Sequence, residues 1–440
     1  MIQSLCEATR RIAADLRDLA QTSICFGSCR TRLLMRREPF SRSAAGASNA
    51  GPNAIEARMG LVPMFIRSLT LSNILSFRDP GPLALKPLNI LIGANASGKS
   101  NLIDCIGLLR ALPGNASSYI NDRGGTESWV WKGAKHGAGT TAIRCELELA
   151  DETLTYDLTF AAVERTFAIQ TESLMSADYT YLRRRAGNLE IGHRGLPGSP
   201  DLTASVSPAE SALSAYRFPS SPITNAAHAL GDIQIYHNFH TGTRDDTRIG
   251  VASSGPKHPL EEDGSNLALT LQELDFQGAL PRVKDYLRRL SDRFEDIKIR
   301  PEGGRSQLYV QERGLAMISA THLSDGTLKF LSLMAVLCDP KPGPLVCIEE
   351  PETGLHPDAL ALIGDALREA ATRTQLIVTT HSDALVDRFT DAPENVIVCD
   401  RDFDESTSFR RLSREKLTEW LDEYTLGELW RRGEIGGTKR

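Results

Sequence analysis

The residues from Gly93 to Ser100 read GANASGKS and match the GxxxxGK[ST] pattern of a phosphate-binding loop. In such a loop, glycines let backbone N–H groups curl around phosphates, Lys99 neutralises β- and γ-phosphate oxygens, and the Ser100 hydroxyl binds Mg²⁺. An apolar strand precedes the motif and a helix follows it, as the motif requires. We therefore predict an ATP and Mg²⁺ site formed by Gly93, Asn95, Ala96, Ser97, Gly98, Lys99, Ser100 and Asn101.

Two carboxylates, Glu349 and Glu350, end a second apolar run that begins at Leu345. Pro351 follows them and ends the strand ladder. Neighbouring strand residues point to opposite faces, so one acid can hold Mg²⁺ or its water while the other faces an attacking water. This pattern leaves open which acid does which, and the alternative is that both merely cap a strand. We predict that the pair belongs to the phosphate site.

His381 follows a third apolar run, Leu376 to Thr380. A histidine at such a place is often structural. In open α/β sheets, however, ligands bind outside the carboxyl ends of the strands, and Lys99 and Glu350 are predicted at that same edge. We therefore predict that His381 contacts the γ-phosphate.

The segment Leu323–Thr327 reads LSDGT and precedes an apolar helix. Ser324 is a natural N-cap, and the start of the helix offers free N–H groups and a positive dipole to an anion. Ordinary helix capping and anion binding by Ser324 and Gly326 both fit this pattern.

The elements that must position these residues alternate between strand and helix. We predict strands at Leu88–Ile92, 345–349, 375–380 and 395–399, and helices at 99–112, 324–338, 358–372 and 414–424. Such alternation indicates a parallel sheet covered by helices. Period-two patterning over 141–175 predicts an added antiparallel sheet. We also expect a loop over 187–225, rich in Pro, Ser and Gly, and helices at 266–274 and 281–294.

Composition sets the remaining limits. The chain has 440 residues and a net charge of −6, so it offers no global attraction to nucleic acid or membrane. No apolar run approaches the roughly 18 residues of a membrane span, and its eight cysteines lack a disulfide or zinc pattern. We expect a cytoplasmic protein. Residues 1–63, with nine Arg and no Lys, are expected to be a disordered extension, and an artefact of start-site choice is our hypothesis for it.

From Phe65 to His381 the motifs GANASGKS, LSDGT, LVCIEEPETGLHP and TTHS resemble those of ABC-type ATPase heads of the SMC and RecF-like group, and within it the stand-alone, OLD-like AAA-type ATPases. The resemblance implies a P-loop NTPase head with a mainly parallel sheet flanked by helices, an antiparallel β subdomain and an insertion at about 180–300. It implies that Glu349 binds the metal, Glu350 is the general base and His381 is the switch. Ser324 would meet the γ-phosphate of a second head, and Leu355–Pro357 would lie at the dimer interface.

This sequence departs from the family pattern at two places. Glu349 stands where the wider family has Asp. No Gln occurs between Asn101 and Phe167, so the usual lid glutamine has no obvious equivalent; the segment Trp129–Gly133 is at its approximate place.

Three weaker features have both a functional and an ordinary interpretation. His237 and His240 form an H-x-x-H pair, which suits either a metal site or packing. Arg183–Arg185 form a basic run that suits nucleic acid phosphates or plain solvated surface. The apolar tail segment Leu426–Trp430 is expected to dock on a partner or on its own head.

The leading hypothesis for function is an ATP-hydrolysing switch in which two heads close on two ATP molecules. We expect a homodimer or higher oligomer that acts on an effector or nuclease protein, or on DNA, in bacterial anti-phage defence. The alternatives are the ATPase component of a DNA repair or nuclease complex and, less favoured, the ATPase subunit of a transporter. No membrane partner is expected for the leading hypothesis.

Overall fold

The computed structural model describes residues 64–437 except 134–139, 150–151, 186, 193–201, 218 and 220. The predicted extension, residues 1–63, lies outside them. In chain order the strands are β1 (Ile66–Ser72), β2 (Pro82–Ala84), β3 (Leu88–Ile92), β4 (Thr141–Leu149), β5 (Glu152–Val163), β6 (Thr166–Met175), β7 (Thr180–Arg185), β8 (Asn188–Ile191), β9 (Leu202–Ser205), β10 (Gln234–Tyr236), β11 (Val251–Ala252), β12 (Phe294–Glu302), β13 (Arg305–Glu312), β14 (Met317–Ser319), β15 (Leu345–Glu349), β16 (Gln375–Thr379), β17 (Val396–Arg401) and β18 (Thr407–Arg411).

The described helices follow the predicted alternation in the C-terminal half. In chain order they are α1 (Lys99–Ala111), α2 (Ala116–Asp122), α3 (Thr126–Trp129), α4 (Ala212–Ala215), α5 (Pro222–Gly231), α6 (Asp246–Ile249), α7 (Leu267–Phe276), α8 (Leu280–Leu290), α9 (Asp325–Leu337), α10 (Pro357–Ala370), α11 (Asp383–Asp387), α12 (Arg414–Leu421) and α13 (Leu426–Arg431). No helix in the described ranges combines the length and apolar character needed to cross a bilayer.

The central sheet has six strands in the order β10-β15-β16-β3-β17-β18, and all neighbouring pairs are parallel except β17–β18. Every residue of β3 and β16 is buried, which explains their continuous apolar runs. Successive residues face opposite layers: Ile90 and Ile92 join a core with α7 to α11, while Leu91 packs with α1 and the second sheet. The predicted parallel α/β sheet is therefore confirmed.

The second sheet has eight strands in the order β2-β1-β4-β5-β6-β7-β8-β9, with antiparallel neighbours throughout. Its strands alternate buried and more exposed residues, as the period-two pattern over 141–175 predicted. The buried amide of Gln375 joins the two sheets, because its Oε1 accepts from the N–H of Ile66 at 2.8 Å and its Nε2 donates to the Ile66 carbonyl at 2.8 Å. The sheets are thus fixed to each other near the start of β1.

The region at about 180–300 differs from the predicted loop-rich and helical insertion. β7, β8 and β9 extend the antiparallel sheet, and β10 forms an edge of the central sheet. The predicted loop over 187–225 was wrong where β8, β9, α4 and the start of α5 form, because turn-rich composition hid very short strands. The predicted helix at 281–294 ends at Leu290, and Phe294 begins β12 of a small third sheet with β11, β13 and β14.

Candidate nucleotide site

The phosphate loop lies between β3 and α1, at the carboxyl edge of the central sheet. Gly98 caps α1 with a φ of 102°, a backbone conformation that residues with a side chain rarely adopt. A Cβ at Gly98 would lie 2.3 Å from Thr407 Oγ1, so only glycine fits. Ala96 is also left-handed, with a φ of 63°. The loop therefore has the tight curl that turns backbone N–H groups inward.

Lys99 and Ser97 point into the hollow of this loop. Lys99 is 5% exposed, and its Nζ donates to the carbonyls of Gly93 at 2.9 Å and Ala94 at 3.1 Å. Burial lowers the pKa of Lys99, against the opposing effect of Cys399, Glu350, Glu349 and Glu352. Ser97 Oγ is buried without a hydrogen-bond partner among the described residues, and a Cβ at Gly93 would lie 2.6 Å from it. An unsatisfied hydroxyl and a buried ammonium in one hollow fit a phosphate group.

Glu349 ends β15 at the edge where the phosphate loop begins. Its Oε2 lies 3.0 Å from Nδ1 of His237, whereas its Oε1 is buried and has no hydrogen-bond partner in the described ranges. Ser100 presents an exposed hydroxyl at the start of α1. Hard cations such as Mg²⁺ take oxygen ligands, and an unpaired buried carboxylate oxygen is costly unless something binds it. The donor set of Glu349 and Ser100 therefore fits Mg²⁺ held together with nucleotide oxygens.

Glu350 occupies a strained position just beyond β15. Its φ is 43°, which is unusual for a residue that is not glycine, and its N–H donates to the Thr379 carbonyl at 3.0 Å. The turn directs the carboxylate toward the end of β16, where Oε1 lies 3.6 Å from Nε2 of His381. Thr353 Oγ1 donates to Oε2 at 3.3 Å. The structure thus brings together the predicted base and the predicted switch.

The backbone at His381 is held by an acid that sequence reasoning missed. One carboxylate oxygen of Glu352 accepts from the N–H of His381 at 2.6 Å and from Thr380 Oγ1 at 2.7 Å. Burial lowers the pKa of His381, and the charge of Lys99 lowers it further. The imidazole is therefore neutral at neutral pH, and it can donate one hydrogen bond without carrying a charge.

Ser324 and Gly326 lie apart from this group within one chain. Ser324 caps α9, since its Oγ accepts from the N–H of Thr327 at 3.1 Å, and no hydrogen bond joins Ser324 or Gly326 to the phosphate loop in the part of the chain described. Gly326 sits against the turn before α10, where an added Cβ would lie 3.2 Å from the Gly354 carbonyl and 3.9 Å from Leu355. Buried Arg248 holds Asp325 by a 2.5 Å ion pair. The segment LSDGT is thus held by contacts at Asp325 and Gly326, and Ser324 is exposed.

His237 stands where β10 ends, directly beside Glu349. β10 runs parallel to β15 with Tyr236 opposite Ile348, which places the next residues of both strands side by side. The hydrogen bond to Glu349 raises the pKa of His237, and partial burial opposes it. The side chain beside the metal-side acid, Glu349, is therefore that of His237.

The segment Trp129–Gly133, at the approximate place of the lid glutamine, packs on the turn after β1, where the Trp129 carbonyl accepts from the N–H of Leu75 at 2.7 Å.

Two of the weak sequence features gain little from the structure. No cluster of three or more His, Cys, Asp or Glu side chains suited to a metal occurs among the described residues, and the H-x-x-H pair of His237 and His240 stays a prediction. Arg184 is fully buried against Glu172, with 3.7 Å between them, so the basic run is not a continuous surface patch. The five cysteines of the described ranges are buried and free.

Two C-terminal elements lie at the phosphate loop: the β17–β18 hairpin, to which no motif pointed, and the tail segment Leu426–Trp430, which was expected to dock on a partner or on its own head. On the β17–β18 hairpin, Arg401 Nε donates to the Ala96 carbonyl at 2.7 Å, and Thr407 Oγ1 donates to the Ser97 carbonyl at 2.9 Å. The tail helix α13 docks on its own head with Leu426, Leu429 and Trp430 buried. The rule that strand carboxyl ends share one edge was the available signal for Arg401, because it ends β17.

Comparison with known proteins yields one family and a set of similar folds. The model of a family described as "AAA domain, putative AbiEii toxin, Type IV TA system" matches residues 88–387. Among solved structures, an SmcHead bound to the C-winged helix domain of ScpA is 14% identical, with a TM-score of 0.47 over 80% of this chain and 99% of that one. The SMC head domain from Thermotoga maritima is 14% identical, with a TM-score of 0.44 over 80% and 100%.

A third similar structure is an Smc head domain with an extended coiled coil bound to the C-terminal domain of ScpA, derived from Pyrococcus furiosus. It is 13% identical, with a TM-score of 0.46 over 82% of this chain and 99% of that one. No curated protein matches the sequence significantly.

Proposed function

The chain belongs to the family of AAA-domain P-loop ATPases whose model it matches over residues 88–387, and on that premise we propose that it binds and hydrolyses ATP and that the nucleotide controls the association of two copies of the chain. The observation that carries this proposal is the unsatisfied carboxylate oxygen of Glu349 beside the phosphate loop. A buried carboxylate with a purely structural role would have hydrogen-bond partners for both of its oxygens. An oxygen that is buried and unpaired at this edge fits a bound cation.

The side chains divide the chemistry among themselves in this proposal. Lys99 exchanges its two loop carbonyls for phosphate oxygens, and the N–H groups of the loop hold the other oxygens. Ser100 and Glu349 would hold Mg²⁺ together with the nucleotide, and the ion would supply neutralising charge. Glu350 takes the proton of the water that attacks the γ-phosphate in line. Neutral His381, fixed by Glu352, donates a hydrogen bond to the γ-phosphate.

In the proposed dimer, the second copy contributes its LSDGT segment to the nucleotide site. Ser324 is exposed at the start of α9 and offers its hydroxyl and the helix N-terminus to an anion. We propose that it meets the γ-phosphate bound to another head, with Leu355–Pro357 near the interface. A bulky replacement, Ser324→Arg, then lowers turnover while the isolated head keeps its ATP affinity. An equal loss of affinity in the monomer would contradict action across the interface.

The test of hydrolysis is the conservative variant Glu350→Gln. Loss of the base should lower turnover at least about a hundredfold while ATP binding survives, so that an ATP-bound dimer accumulates. Steady-state phosphate release gives the rate, and size-exclusion with light scattering, with and without ATP, gives the mass. Unchanged turnover would refute the role of Glu350, and a monomer under all conditions would refute the switch.

We further propose that head closure acts on a protein effector or on DNA, with anti-phage defence as its setting. The family description, which names a toxin–antitoxin system, favours a partner of this kind. The purified chain with DNA and Mg²⁺ should leave the DNA intact, because the proposed chemistry is confined to the nucleotide. Cleavage by the chain alone would show that it is itself the nuclease.

A further inference from the structure

A cavity of about 440 Å³ opens between the phosphate loop and the tail helix α13. Its walls include residues 93–95 of the loop, His381 and Asp383, which follow β16 at the same sheet edge, and Trp430 and Arg431 of α13. The loop and His381 are the groups that we assign to the terminal phosphates. A residue of α13 that lines the same cavity therefore lies near the place proposed for those phosphates.

The tail helix is fixed tightly enough to place a side chain. The N–H of Leu426 donates to Thr390 Oγ1 at 3.1 Å, and the N–H of Gly427 donates to Asp387 Oδ1 at 2.7 Å. A Cβ at Gly427 would lie 2.4 Å from the Asp383 carbonyl, so α13 packs directly on α11. A capping box formed by Thr425 and Glu428 closes its first turn.

The residues that follow α13 anchor it to the phosphate loop. The N–H of Gly437 donates to Asp400 Oδ1 at 2.7 Å, and Trp430 Nε1 donates to the Gly437 carbonyl at 3.3 Å. A Cβ at Gly437 would approach Gly93 Cα to 3.2 Å. α13 is thus held by the helix that follows His381, and Gly437, beyond the end of α13, lies against the first residue of the phosphate loop.

Arg431 is the cationic side chain among the described residues that line this cavity. Its Nε lies 3.0 Å from Asp383 Oδ2, and 62% of the side chain is exposed. His381 adds no charge, because burial keeps its pKa low. A triphosphate brings several negative charges beside three glutamates of the same edge, so a guanidinium with further N–H donors has a stronger acceptor available than one carboxylate.

We propose that Arg431 binds the terminal phosphate of ATP held in the same chain, exchanging Asp383 for it. The inference rests on the proposed ATP site and adds a residue that reads the third phosphate. ADP lacks that phosphate, so Arg431 stays on Asp383 when ADP is bound. The tail helix thereby distinguishes the two nucleotides.

The test compares ATP and ADP binding by calorimetry in the full chain, with Glu350→Gln present throughout to prevent hydrolysis. Arg431→Ala should weaken ATP binding about tenfold and leave ADP binding within about twofold. Asp383→Asn should act in the opposite direction, tightening ATP and sparing ADP, because it frees the guanidinium. Arg431→Lys should fall between, since it keeps the charge and loses the planar fork.

Arg432, the residue that caps the end of the same helix, supplies the matched control. Its guanidinium lies over the Tyr424 ring at 3.9 Å from the centroid, away from the cavity lining, so Arg432→Ala should change neither affinity. Equal effects of Arg431→Ala on ATP and ADP, or none on either, would overturn the inference. Failure of the chain with intact Arg431 to bind ATP would instead refute the proposed function, as would unchanged binding in Lys99→Ala.

Discussion

The antiparallel sheet and the carboxyl edge of the central sheet both contain carboxylate oxygens that are buried, and the two regions supply hydrogen-bond partners for them to different degrees. Glu172 in β6 accepts from Tyr156 at 2.8 Å, from Ser211 at 2.6 Å and from the N–H of Ala212 at 2.8 Å, with Arg184 at 3.7 Å. At the sheet edge, one oxygen each of Glu349 and Glu352 has no such partner among the described residues. Both oxygens of Glu172 thus have partners, although Arg184 Nε in the same cluster is buried without one among the described residues. A satisfied carboxylate stabilises the fold, whereas an unsatisfied one is available to a ligand.

The largest expected effect is on stability, from Glu172→Gln. The substitution leaves the guanidinium of Arg184 buried without a counter-charge and turns an amide group toward donors. The free energy of unfolding should fall by about 3–5 kcal/mol, as measured by urea denaturation.

A matched control lies on the same sheet. Arg144 and Asp157 form a 2.5 Å pair, but Arg144 is 62% exposed, so Asp157→Asn should cost under about 1 kcal/mol. Similar losses for Glu172→Gln and Asp157→Asn would mean that the buried network has no special role.

The same chemical change at the sheet edge, Glu349→Gln, should affect ligand binding and spare the fold. Removing the carboxylate should weaken Mg²⁺-dependent ATP binding about tenfold, while unfolding stability stays within about 1 kcal/mol. Calorimetry with and without Mg²⁺ separates the metal contribution from the rest. A loss of several kcal/mol in stability, with Mg²⁺ coupling intact, would place Glu349 among the structural acids.

The smallest expected effect concerns a closed pair outside both regions, His258 with Asp339 at 2.7 Å. The hydrogen bond that His258 Nε2 donates to the Asp339 carboxylate raises the pKa of His258 above 6.5, and partial burial opposes the shift. Because the folded-state pKa is raised, the pair stabilises the fold fully below the unfolded-state pKa, and this contribution is lost as pH rises through the folded-state pKa.

Denaturation at a series of pH values from 5 upward should show this loss, and His258→Gln should abolish it. The amplitude should be under about 1 kcal/mol. ATP affinity should not follow the same profile, since neither residue belongs to the candidate site. If ATP affinity changed with the same pH profile, the distinction between acids with complete hydrogen-bond partners and acids with an unpaired oxygen would be weakened.

Local patterns predicted the parts of the site that follow apolar strands in sequence. The phosphate loop, the acids at the end of β15 and His381 after β16 each adjoin a strand of five residues, of which four or five are buried, and such a run is long enough to recognise. The H-x-x-H spacing singled out His237, but His237 follows a strand of only three residues and meets Glu349 across 112 positions, so neither periodicity nor spacing placed it beside that acid. The roles of Glu352 and Arg431 depend on how turns and helices pack, which a local pattern does not encode.

The strand order of the central sheet also sets when the phosphate loop can form. β3 lies at the centre, yet it pairs with β16 and β17, and the side chain of Asn89 bonds to the Leu376 carbonyl 287 positions later. At about 5–20 residues per second, a ribosome needs roughly 15–60 s to make that intervening chain. During this interval β3 has two unpaired edges and exposed apolar faces. A nascent chain of this protein is therefore expected to depend on chaperones until β17 emerges, and truncation before β16 should yield aggregation instead of a smaller nucleotide-binding unit.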